Sequence, residues 1–103
     1  MEFSQLKAAA EQFAAQHEQE IVADIARLVA IKSVRGAPQP GAPFGPGPRD
    51  ALQEALSLAA ARGLAAEDLE VVGRASTPGS GGKTVGIVAH LDVVPEGGGW
   101  NTD

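Results

Sequence analysis

His90 and Asp92 stand two positions apart in Val88-Ala89-His90-Leu91-Asp92-Val93-Val94-Pro95. An imidazole is a common ligand for zinc, and a nearby carboxylate can accept the ring's other N–H. That contact fixes the tautomer and raises the basicity of the ligand. In extended chain the side chains alternate, so residues two apart project to the same side. One His and one Asp do not complete a catalytic zinc site, which takes three protein ligands and an open position. The remaining candidates are Asp103, Glu96 and His17, and of these only Asp103 is kept as a loose possibility. There is no Cys, which excludes thiolate ligands and a Cys nucleophile, and no serine stands in a Gly-x-Ser-x-Gly turn.

The element that must position this pair is the run before it. Thr84-Val85-Gly86-Ile87-Val88-Ala89 is β-branched and apolar at both parities, with Val85, Ile87 and Ala89 on one face and Gly86 and Val88 on the other. This predicts a strand buried on both sides, as in a parallel or mixed sheet. A polar pair at its end sits where open α/β sheets place their sites, beyond the carboxyl ends of the strands. The neighbouring Gly81-Gly82-Lys83-Thr84 is not read as a phosphate loop. Its glycine spacing is wrong, and a strand follows where a helix N-terminus is needed.

Upstream, the spacing predicts one amphipathic helix from Phe3 to Ile31, with Leu6, Ala10, Phe13, Ala14, His17, Ile21, Ile25 and Leu28 on its apolar face. It is too brief and too Ala-rich at the seam for a coiled coil. His17 reads as an ordinary helical histidine, because one nearby carboxylate, Glu20, is weak company for a metal. Ser33 to Pro48 holds five of the seven prolines, interleaved with four glycines, and is a series of turns. Two readings stand for it, a plain linker or an ordered loop anchored by Phe44 near a site.

Gly47-Pro48 opens a second helix with Pro48 at its first position and Leu52, Ala55, Leu56, Ala59 and Ala60 as its stripe. Gly63 ends it in a left-handed cap, with Leu64 making the accompanying apolar contact. Leu69 to Ala75 is expected as a strand weakened by Gly73, and Thr77 to Lys83 as a tight turn.

A net charge of −5 over 103 residues argues against a nucleic-acid backbone or an anionic membrane as partner. No run is long and apolar enough to span a bilayer, no basic segment precedes an apolar core near Met1, and the expected compartment is the cytoplasm. Helix, loop, helix, strand, turn, strand is an α/β order. Yet a strand apolar on both faces needs cover on both faces and partners at both edges. The expectation is the N-terminal part of a larger α/β domain, spanning residues 1–103 and incomplete as it stands, or a chain that associates through its unpaired strand.

Taken together, Val88 to Pro95 and Gly97-Gly98-Gly99-Trp100-Asn101-Thr102-Asp103 resemble the first metal motif of the M20 metallopeptidases, in the PepV-like dipeptidase branch. Ala42-Pro43-Phe44-Gly45-Pro46-Gly47-Pro48 resembles that branch's loop before the second helix, and Val29-Ala30-Ile31-Lys32-Ser33-Val34 the segment closing its first. Lys32 departs from the proline common there. The resemblance implies a zinc-exopeptidase-like catalytic domain of helices on a mixed sheet, a separate lid domain, and two zinc ions. It implies His90 as a zinc ligand and Asp92 as the residue that orients it. The general base and the other ligands would lie beyond these residues, so this chain alone is expected to be inactive on dipeptides and short peptides. Related N-acyl-amino-acid deacylases and carboxypeptidases share the His-x-Asp motif and stand as alternatives, as does a truncated, non-catalytic interaction product.

Overall fold

Helix α3, Pro46–Ala61, organises the larger of two units, Ile31–Asp103; the smaller is Met1–Ala30. The computed structural model describes residues 2–102. Gly45 precedes α3 with φ 92°, a left-handed conformation that glycine adopts without steric cost. The helix therefore starts two residues earlier than Pro48 suggests, and both prolines fall in its first turn, where a missing N–H costs nothing. It ends as expected. Gly63 has φ 85°, Gly63 N–H donates to the Ala60 carbonyl at 3.0 Å, and Leu64 N–H donates to Ala59 at 3.1 Å. That bonding pattern is a Schellman cap.

The buried apolar side chains of this unit are few: Ala42, Ala51 and Leu58. Leu52, Ala55, Leu56 and Ala59 are half-buried, and Ala60 faces out. The stripe is thus the predicted one rotated toward Ala51 and Leu58.

The strand expected at Leu69–Ala75 is a hairpin instead. Strands β1 (Ala65–Asp68) and β2 (Gly73–Ser76) pair antiparallel, with Ala65 opposite Ser76 and Asp68 opposite Gly73. Leu69 to Val72 form its loop, closed by Leu69 N–H donating to the Val72 carbonyl at 2.9 Å. The cause is local. The Asp68 carboxylate accepts the Glu70 N–H at 2.9 Å, an Asx turn, and Glu70 takes a positive φ of 69°. Across the strands Glu67 faces Arg74, and Arg74 Nε donates to Glu67 at 2.6 Å. Gly73 lets β2 lie against α3, since a Cβ there would come within 2.7 Å of Leu52 Cδ1 and 2.9 Å of Leu56 Cδ2.

The α/β class holds, but the sheet is not the one expected. Thr84 to Ala89 lies in no strand and has no strand partner among the described residues. Val85, Ile87 and Val88 are 90%, 92% and 98% exposed. The described hairpin supplies neither edge to this run, so its both-sided apolar pattern finds no cover. Among the described residues the one parallel pairing is a bridge, Val34 to Val93, with Val93 N–H donating to the Ser33 carbonyl at 3.2 Å.

In the smaller unit the single helix expected from Phe3 to Ile31 is two: α1, Phe3–Gln16, and α2, Glu18–Val29. Backbone bonds continue on both sides of the break, from His17 N–H to Phe13 at 3.0 Å and from Ile21 N–H to His17 at 2.9 Å. At His17 itself φ is −113° and ψ 15°. The break coincides with a ring held by its neighbours: His17 stacks on Phe13 at 4.3 Å, and its Nδ1 lies 3.4 Å from Glu20 Oε2. No residue of α1 or α2 is buried, so the apolar stripe through Leu6, Phe13 and Ile25 is exposed. No helix among the described residues is long and apolar enough to cross a membrane.

Candidate functional site

The Pro- and Gly-rich segment is an ordered loop, which decides between its two readings. Gly36 N–H donates to the Phe44 carbonyl and Gln39 N–H to that of Ala42, each at 2.9 Å, folding the segment back on itself. Gly45 crosses the Gly36 backbone so closely that a Cβ would lie 2.9 Å from its Cα. Ser33 is 4% exposed and Ala42 6% exposed, so the loop carries part of the buried interior. The Arg35 guanidinium lies over the Phe44 ring at 5.6 Å, a cation–π contact.

This loop, the first turns of α3, the hairpin loop and residues 87–92 surround one cleft of about 570 Å³. His90 and Asp92 line it together with Arg35, Phe44, Arg49 and Glu70. The bridge from Val93 to Val34 ties the chain just after Asp92 to the root of the loop. That is what sets the pair beside this cleft.

The two residues of the pair approach each other, although residues 84–92 lie in no strand. His90 Nδ1 lies 2.9 Å from the Asp92 backbone carbonyl and 3.3 Å from Asp92 Oδ1. A carbonyl oxygen can only accept, so Nδ1 carries the proton and the ring's lone pair is on Nε2. A histidine with Nδ1–H so engaged is arranged to offer Nε2 to a metal. The backbone carbonyl is the nearer partner, and the carboxylate stands behind it.

Among the described residues the donor set at this place is one imidazole with a carbonyl and a carboxylate beside it. Among the described residues no three His, Asp or Glu side chains gather closely enough to hold a metal ion. Asp103 lies outside the described residues. Glu96 sits in the following Gly-rich turn, where its carbonyl accepts the Trp100 Nε1–H at 2.7 Å. His17 belongs to the smaller unit and is engaged by Phe13 and Glu20.

Sequence reasoning did not find the ion pair beside the cleft. Arg49 grips both Asp68 oxygens, with Nη1 donating to Oδ1 at 2.9 Å and Nη2 to Oδ2. This bidentate hydrogen bonding, helped by the Glu70 N–H, lowers the Asp68 carboxyl from its ordinary 3.8 to about 2. The same bond raises Arg49 above its already high value. The pair joins the start of α3 to the end of β1. No local signal links two residues 19 apart in the chain.

Comparison with known proteins finds relatives named as dipeptidases. It is 38% identical over 90 residues to proteins named "putative dipeptidase" in Staphylococcus aureus strains USA300, COL and Mu50. The match takes in 85% of this chain but 19% of each relative, so the chain spans about a fifth of the length of the curated relatives it matches. No family model matches the chain.

Proposed function

We propose that this chain is the N-terminal part of a zinc-dependent dipeptidase of the M20 metallopeptidase family. In this reading His90 gives one zinc its Nε2, and Asp92 is the positioning residue that holds the ring. Zinc in such a site polarises a peptide carbonyl and lowers the pKa of bound water. The residues here supply one imidazole, its orientation, and one side of a cleft. The observation that carries the reading is the His90–Asp92 geometry, Nδ1 turned inward at 2.9 Å so that Nε2 is the ligand atom, within a segment 38% identical to proteins named for dipeptide hydrolysis. That relationship favours a dipeptidase over the deacylase and carboxypeptidase alternatives. Among the described residues no three zinc-ligand side chains gather where a catalytic site needs three, so the 103-residue chain alone is expected to have no peptidase activity.

A full-length parent carrying this segment tests the proposal. It should hydrolyse unblocked dipeptides in preference to N-acyl amino acids and longer peptides, and His90→Ala should abolish the activity. A preference for N-acyl substrates would move the assignment to the deacylases. Undiminished hydrolysis by the His90→Ala variant would overturn it.

A further inference from the structure

Two arginines line the cleft with His90 and Asp92, and they differ in what occupies them. Arg49 is taken by Asp68, which accepts from both of its terminal nitrogens. Arg35 has no carboxylate partner among the described residues, and its guanidinium lies over the Phe44 ring at 5.6 Å. An aromatic face attracts the charge of a guanidinium and leaves its planar fork of N–H donors for an acceptor. That fork matches a carboxylate, which it can hold through two parallel bonds. The place of Arg35 is fixed from within the chain. Gly36, next in sequence, donates its N–H to the Phe44 carbonyl at 2.9 Å. The Val34–Val93 bridge joins the residue before Arg35 to the residue after Asp92.

The proposed substrate supplies a matching group. An unblocked dipeptide carries its terminal carboxylate one residue beyond the scissile carbonyl, a reach of at most about 3.6 Å along the chain. With that carbonyl at a zinc held by His90, the carboxylate falls within the same cleft. Of the other charged side chains lining the cleft, Glu70 and Asp92 repel a carboxylate, and Arg49 is already paired. We propose that Arg35 binds a carboxylate of the peptide substrate and so selects substrates that carry one. The inference rests on the dipeptidase reading and gives Arg35 a part in specificity, not in bond cleavage.

Steady-state kinetics of a full-length parent, as wild type, Arg35→Ala and Arg35→Lys, tests it on alanylalanine, alanylalanine amide and alanylaspartate amide. Arg35→Ala should raise KM for alanylalanine by roughly tenfold or more with kcat unchanged, and Arg35→Lys should recover part of that loss. Zinc content should be the same in all three proteins. The wild type should prefer alanylalanine to its amide, and Arg35→Ala should lose the preference, which identifies the terminal carboxylate as the group bound. A wild-type preference for alanylaspartate amide over alanylalanine amide, lost in Arg35→Ala, would identify a side-chain carboxylate instead. Unchanged KM and unchanged preferences in Arg35→Ala would overturn the inference while leaving the dipeptidase reading intact. A loss of zinc, or a fall in kcat alone, would also overturn it by giving Arg35 a structural role. A wild-type parent inactive on dipeptides would contradict the dipeptidase reading, and the inference with it.

Discussion

Two regions of the larger unit make opposite use of their apolar residues. From Gly45 to Ser76 the chain is Ala-rich, has modest apolar residues, and packs: α3 lies on its hairpin and Leu58 and Ala51 are buried. From Thr84 to Ala89 the chain is the most β-prone stretch in the sequence, and Val85, Ile87 and Val88 are almost wholly exposed. The difference lies in where the partners are. A helix followed by a hairpin finds its contacts within some thirty residues, at small loop-closure cost. A strand apolar on both faces needs two flanking strands and two covering layers, and the described residues supply neither. Strong local pattern therefore does not imply local structure, and the weaker pattern is the one that folds.

Substitutions across the two regions sharpen this contrast. The largest effect is expected from Gly47→Ala, because a Cβ at Gly47 would collide with the Lys32 carbonyl oxygen, part of the backbone. A loss of about 3 kcal/mol is expected in urea unfolding. Leu58→Ala should cost about 2 kcal/mol, near the low end for such truncations because so little surrounds it. Gly73→Ala should cost roughly 1 kcal/mol, since the atoms it meets are the movable ends of Leu52 and Leu56. Ile87→Ser, chemically the most drastic of the four, should change monomer stability by less than about 0.5 kcal/mol at concentrations where the chain is monomeric. A loss comparable to that of Leu58→Ala would break the comparison.

Acid provides a further probe confined to the folded region. The Asp68 carboxyl is depressed to about 2, so its contribution is fully present above the ordinary value of 3.8. It fades as pH falls from there through about 2, because the native state must then take up a proton that breaks the Arg49 contact. Unfolding midpoints followed through that window should fall more steeply in wild type than in Asp68→Asn. Equal slopes would remove the ion pair from the account of how α3 is joined to the hairpin.

Much of the folded region was legible in the sequence. Gly63 and Leu64 announce the end of α3, and the Pro/Gly clustering announces turns. The hairpin is not legible, and Leu69 to Ala75 reads as one strand, because Leu69-Glu70-Val71-Val72 has strand composition. Its loop depends on the Asp68 side chain capturing the Glu70 N–H, a contact that a propensity reading does not weigh. The break at His17 had no Gly or Pro to mark it. Of the candidate site, the sequence offers only the two-residue spacing of His90 and Asp92, whose contact is a local one. That the nearer acceptor is the Asp92 carbonyl is a local detail the spacing does not give, and that Arg35, Phe44 and Glu70 share the cleft depends on contacts distant in the chain.

The measurement that bears most directly on the central claim is the zinc content of a full-length parent, by elemental analysis, with and without His90→Ala. Two zinc ions per chain in the wild type and a loss at one site in the variant are the expected result. An unchanged two-zinc content in His90→Ala would contradict His90 as a ligand, and with it the assignment of this segment to the metal centre.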